Sequence, residues 1–150
     1  MSLNPFDIHY TLLAKHAQHV ALIHFPIALL ITGSVFDFLS QWTKRRDFAE
    51  VAYLNFLAAA FSTIPTLATG ILAWRFALEG QKLKGILLQH MVLGWTSSLL
   101  IWVIWAVHFR ARKRAQMTPI YRLWVEFAAV AVVALTGHMG GFLSGVIGPG

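Results

Sequence analysis

The side chains best suited to chemistry in this sequence are its histidines. There are seven in 150 residues, beside six Asp+Glu and no cysteine. His16, His19 and His24 bunch near the start, His90 and His138 follow far downstream, and His9 and His108 stand apart from both groups. The missing cysteine removes disulfides, thiolate metal sites, iron–sulfur ligation and covalent c-type haem attachment. A metal here must be held by nitrogen, oxygen or methionine sulfur. A zinc hydrolase wants three ligands, an open water position and a base, and no carboxylate near the histidines offers itself as that base. Proton relays string Asp, Glu and His through a bundle, whereas Asp37 and Glu126 fall at the far ends of their segments from the histidine cluster. Two imidazoles from facing helices clamping an iron porphyrin edge-on fit the inventory better, because histidine is a standard axial ligand and bundle cores hold cofactors.

Whatever positions these histidines is built from very apolar chain. Hydrophobic residues make up 57% and charged residues 12%, and the mean hydropathy is +0.64. Soluble domains carry roughly 25% charged residues, so this composition predicts an integral membrane protein in contact with the lipid bilayer. It excludes a disordered chain, a disulfide scaffold and an ordinary cytosolic enzyme. Twelve Lys+Arg against six Asp+Glu give a net charge of +6. No basic stripe is interleaved with aromatics outside the apolar runs, so nucleic acid is excluded as a partner, and the surplus reads as loop charge.

Crossing the hydrocarbon takes about 20 mostly apolar residues as a helix. Four stretches qualify: Val20–Gln41, Phe48–Trp74, Leu87–Phe109 and Leu123–Ile147. Short connections predict an all-α, integral membrane four-helix up-down-up-down bundle over residues 20–150. Residues 1–19 form an N-terminal segment whose Phe6, Ile8, Tyr10, Leu12 and Leu13 suit the membrane interface. No basic n-region of a signal peptide precedes them, and no internal repeat is discernible. The first and third loops carry eight Lys+Arg (Lys44, Arg45, Arg46, Arg110, Arg112, Lys113, Arg114 and Arg122), and the opposite side carries Lys15, Arg75, Lys82 and Lys84. Eight against four puts those loops in the cytoplasm and both termini outside. Trp42, Tyr121 and Trp124 then mark the inner interface, and Trp74 the outer one.

This topology brings His19, His24, His90 and His138 to one depth near the outer face. Only His108 lies inward, as an ordinary interfacial histidine or a quinone-side group. His90 is followed by Gly94 and Ser97 at helical spacing, which clears the face beneath the imidazole for a flat guest. The second span carries a small-residue seam of Asn55, Ala59, Ser62, Thr66, Thr69 and Ala73. Gly137, Gly140, Gly141, Ser144 and Gly145 in the fourth span also suit close helix packing. Arg75 can pair with a haem propionate or snorkel to the interface. At about 100° per residue, His19 and His24 point roughly 140° apart, so they share a target only if the helix distorts, for which Pro26 is the available device.

His19, the block His24-Phe25-Pro26-Ile27-Ala28-Leu29, Thr69-Gly70, His90 and Thr136-Gly137-His138-Met139-Gly140-Gly141 together resemble a bacterial membrane family, domain of unknown function 2231. The resemblance runs from His19 onward over nearly the whole chain. It implies a four-helix protein of the bacterial inner membrane, so that both outside termini are periplasmic, whose relatives are in some cases joined to Rieske-type or other redox domains, hence electron transfer, with the family's histidines falling on His19, His24, His90 and His138. The resulting expectation is a b-type cytochrome-like subunit, rather than a stand-alone enzyme, that binds one or two haems b. His24 and His90 are the first axial pair; His138 and His19 are the second pair or supporting groups, assisted by Gly94 and Arg75. It would pass electrons between a periplasmic redox partner and quinone or a larger respiratory or photosynthetic complex. Two other readings stay open. One is a cofactor-free structural or assembly subunit that uses its glycine seams with Trp95, Trp102 and Trp105. The other is a protein or transporter holding copper or zinc through histidine.

Overall fold

The computed structural model describes residues 15–114 and 120–144. These form four long helices, α1 (Lys15–Thr43), α2 (Arg46–Leu72), α3 (Gly85–Lys113) and α4 (Arg122–Leu143), with a π-helical turn at Ala73–Ala77 extending α2. All four are long and apolar enough to cross a membrane, and no strand occurs among the described residues. The helices start and stop within a few residues of the expected spans. The segment around Phe6 to Leu13, His9, and the last residues expected of the fourth span lie outside the described residues.

Local chemistry accounts for the boundaries. Lys44 takes a left-handed φ of 59°, which ends α1 sharply and brings the chain back within two residues. Arg45 pairs with Asp47 in the first turn of α2, where a carboxylate meets the positive end of the helix dipole. Arg110, Arg112 and Lys113 occupy the last turn of α3, the negative end. Pro26 and Pro65 sit inside α1 and α2 without interrupting either; membrane helices tolerate proline where neighbouring groups absorb the lost hydrogen bond. Pro26 therefore supplies no unwinding between His19 and His24.

Short connections make sequential helices antiparallel neighbours. α1 packs most extensively on α2, and α3 on α4, while α2–α3 and α1–α4 contacts close the bundle. The core consists of Leu30, Phe56, Ile101, Ile104 and Val133, with Ala52, Ala59, Ala60 and Ala129 letting the backbones approach. Large apolar side chains such as Phe38, Leu54, Leu99 and Phe127 point outward, as helices surrounded by lipid require. Trp42, Tyr121 and Trp124 are exposed together near the α1–α2 and α3–α4 connections, where amphipathic rings suit a headgroup layer. Trp74 behaves differently: its indole N–H donates to the Gln81 carbonyl at 2.9 Å and closes the α2–α3 connection. Polar groups gather at both ends of the core, and each end forms a distinct cluster.

Candidate functional site

At the end holding the α2–α3 connection, His19 of α1 and His90 of α3 turn inward. His19 Nδ1 lies 3.1 Å from the Thr66 carbonyl oxygen and 3.4 Å from the Thr69 hydroxyl. His90 Nδ1 lies 3.0 Å from the Thr136 carbonyl oxygen. A carbonyl only accepts, so both Nδ1 atoms carry the hydrogen, and in the neutral tautomer that fits this bond the lone pair is on Nε2. A metal-ligating histidine is oriented by the same kind of bond through its second nitrogen.

Each ring also rests on a glycine. A Cβ on Gly70 would lie 3.0 Å from His19 Cε1, and one on Gly140 would lie 3.1 Å from His90 Cε1. The arrangement is thus made twice: a histidine at the start of one helix, and on the next helix a threonine carbonyl followed four residues later by a glycine that receives the ring. The sequence separations of the two hydrogen bonds are 47 and 46 residues. The α1–α2 and α3–α4 hairpins thus repeat this His–Thr–Gly arrangement, although the sequence around it shows no repeat.

The two imidazoles meet across the bundle with ring centres 6.3 Å apart and planes at 85°. They border a cavity of about 300 Å³ that is apolar over most of its wall and also lined by Pro26, Trp74, Gly94 and Trp95. Its size falls at the lower end of the range for small-molecule sites. The family described as predicted membrane protein (DUF2231) matches residues 15–148. The chain belongs to this family. Among curated proteins and among solved structures, nothing matches.

The other residues singled out in this DUF2231 chain are placed as follows. Gly94 lines the cavity, and nothing lies within 4 Å of where its Cβ would stand. Ser97 lines it too and hydrogen-bonds Thr136 Oγ1 at 3.1 Å. Within the α2 seam, Thr66 and Ala73 line the cavity and Ala59 joins the core. His24 is exposed on the outer surface, its Nδ1 2.7 Å from the Val20 carbonyl one turn back. His138 is likewise exposed and packs edge-on against Phe142 at 5.0 Å. Neither reaches His90, because unbroken helical rotation carries His24 away from His19 and His138 away from Thr136. Arg75 is exposed in the π-helical turn, directly after the lining residue Trp74.

At the opposite end lies a cluster that sequence reasoning did not assemble. Arg122 Nε and Nη2 donate to Asp37 Oδ2 and Oδ1 at 2.7 and 2.9 Å, joining α4 to α1. His108 Nε2 is 3.1 Å from Glu126 Oε1 and 4.0 Å from Asp37 Oδ2. All four side chains are at most 5% exposed. Arg122, counted above among loop charges, is therefore an interior residue; removing it leaves seven basic residues against four and preserves the bias. His108 is enclosed here rather than lying at an interface. The available signal was the i, i+4 pair Arg122 and Glu126 entering an apolar run opposite an intramembrane Asp37, since charges inside spans face partners.

Proposed function

We propose that this protein is a membrane electron-transfer subunit that binds one haem b between His19 and His90. The observation that carries the reading is the pair itself: two imidazoles from repeated hairpins, each held by a carbonyl at Nδ1, facing across an apolar cavity. Their ring centres stand 6.3 Å apart, a separation compatible with a metal ion held between the two rings. Two imidazoles fall short of the three or four protein ligands of zinc sites. Among the described residues, no third His, Asp or Glu joins them within ligand reach. A porphyrin would bring its own donors to the metal, so two histidines would be enough to hold it.

The cofactor contributes one-electron redox chemistry, and the protein contributes geometry and exclusion. His19 and His90 would hold the iron, and ligation by both would favour electron transfer over oxygen binding. Gly94 and the small residues of α2 would leave room for the group, with Trp74 and Trp95 lining the same cavity. Arg75, beside Trp74, would be the cation for a propionate. The site lies at the end that the loop charges assign to the periplasm. The partners are then a periplasmic redox protein on one side and, within the membrane, quinone or a larger respiratory complex. This pairing replaces His24 with His19, and one haem replaces the alternative of two.

The test is the oxidised and dithionite-reduced spectrum of detergent-purified protein, with haem quantified per chain. Wild type is expected to show a b-type α band at one haem per chain. H19A and H90A are expected to lose it, while H24A and H138A keep it. A colourless wild type that resists haem reconstitution, or a full haem spectrum in H19A, would overturn the assignment.

A further inference from the structure

The buried cluster at the far end of the bundle has chemistry that an electron-transfer role at His19 and His90 leaves unused. Among the described residues, Asp37, His108 and Glu126 are the three ligand-type side chains whose donor atoms come within 4.8 Å of one another, a spacing that invites a divalent cation. Two observations argue against one. Both carboxylate oxygens of Asp37 are already engaged by the Arg122 fork at 2.7 and 2.9 Å, which sets a guanidinium beside any metal. Charge also has to balance inside the bundle. Two carboxylates and one guanidinium around a neutral imidazole leave a single negative charge. A dication would overshoot this, whereas one proton cancels it, and uncompensated buried charge is expensive.

We propose that His108 and Glu126 form a binding site for a single exchangeable proton, carried on Glu126 Oε1 and donated to His108 Nε2. The 3.1 Å contact between these atoms requires one hydrogen. Glu126 is 2% exposed, and its Oε2 has no hydrogen-bond partner among the described residues. An ionised carboxylate oxygen in that position is costly, whereas the carbonyl oxygen of a neutral acid tolerates it. Among the described residues, the groups facing the pair include Asp37 from α1, Arg122 from α4 and, from α2, the Phe56 ring 4.8 Å from the His108 ring. Glu50 on α2 and Arg112 on α3 pair with each other at the exposed surface. Toward the other end stands the apolar core of Phe56, Ile101 and Ile104. His90 lies about 27 Å away along α3. The site therefore exchanges its proton with the side that holds the α1–α2 and α3–α4 connections. It is a store at one face, not a relay across the bundle, and it stands or falls independently of haem.

The chain contains three glutamates, Glu50, Glu79 and Glu126, so the double variant E50Q/E79Q isolates Glu126 without touching the interior. Infrared spectra of this variant in lipid nanodiscs, with and without carboxyl-¹³C glutamate, read the proton directly. A carboxylic-acid C=O band that shifts with both ¹³C and D₂O, and weakens reversibly as the medium is made strongly alkaline, is the expected result. Adding H108Q should move the band, and adding E126Q should abolish it. The unsubstituted interior of E50Q/E79Q keeps the test valid even where E126Q fails to fold. An ionised carboxylate at every pH at which the protein is folded would overturn the proposal. Metal analysis that finds one tightly bound divalent cation per chain at this cluster would overturn it too.

Discussion

At His19 and His90 the atom that matters is Nδ1, because the bond it makes decides what Nε2 can do. Neither bond uses a side chain as its main acceptor, so side-chain replacement at Thr66 or Thr136 leaves the carbonyls in place. The sensitive positions are the glycines on which the rings lie. Gly70→Ala and Gly140→Ala each place a methyl about 3 Å from an imidazole carbon, so the ring must give by a few tenths of an ångström. Each is expected to cost about 1–3 kcal/mol by overpacking and to displace its histidine, read as a lowered unfolding midpoint in detergent and a shifted or lost haem spectrum. Gly94→Ala separates the two effects. Its methyl meets no protein atom within 4 Å but enters the cavity, and alanine is the better helix former by about 1 kcal/mol. This variant should unfold no earlier than wild type and, on the proposed haem reading, retain less haem. Full haem retention in G94A would count against haem in this cavity.

At the level of the helices, composition and run length made the number, type and approximate ends of the elements legible, because a bilayer leaves few alternatives for such apolar stretches. Depth was legible as well, since it follows from counting residues along each span. Rotation about the helix axis was not. That His19 and His24 point apart follows from helical spacing, but which of them, and which side of the fourth helix, faces inward does not. Apolar residues cover the whole circumference, and no amphipathic face sets the phase. The Asp37–Arg122 bond was invisible for a related reason: it joins residues 85 apart, and Arg122 reads as a boundary charge until α4 is seen to begin with it. That bond ties the first helix to the last. Asp37→Asn leaves a buried guanidinium with weakened compensation and is expected to destabilise the bundle by about 3–5 kcal/mol. The double variant D37L/R122M, which removes both charges, should recover much of that loss. Thermal unfolding in a mild detergent compares them, and equal destabilisation of the single and double variants would show that the bond carries no such role.

For the whole molecule, the two hairpins begin at the same end, so the axis relating them runs along the membrane normal, as in transporters built from parallel repeats. The paired histidines lie at one end of that axis and the buried cluster of Asp37, His108, Arg122 and Glu126 at the other, with the apolar core between. Which face of the membrane each end meets follows from the loops. With Arg122 counted as interior, Lys44, Arg45, Arg46, Arg110, Arg112, Lys113 and Arg114 still outnumber the four basic residues of the opposite side. Basic residues close to short-loop ends fix orientation because they resist translocation, so the histidine end should face outward. The absence of cysteine makes this directly testable. Single cysteines at Arg46 and at Gln81, both exposed, report opposite sides. In intact cells with a permeabilised outer envelope, a membrane-impermeant maleimide should label Gln81→Cys at once and reach Arg46→Cys only after the inner membrane is disrupted. The reverse pattern would place His19 and His90 on the cytoplasmic side. A periplasmic electron partner would then be excluded, and the His108–Glu126 site would exchange its proton with the outside.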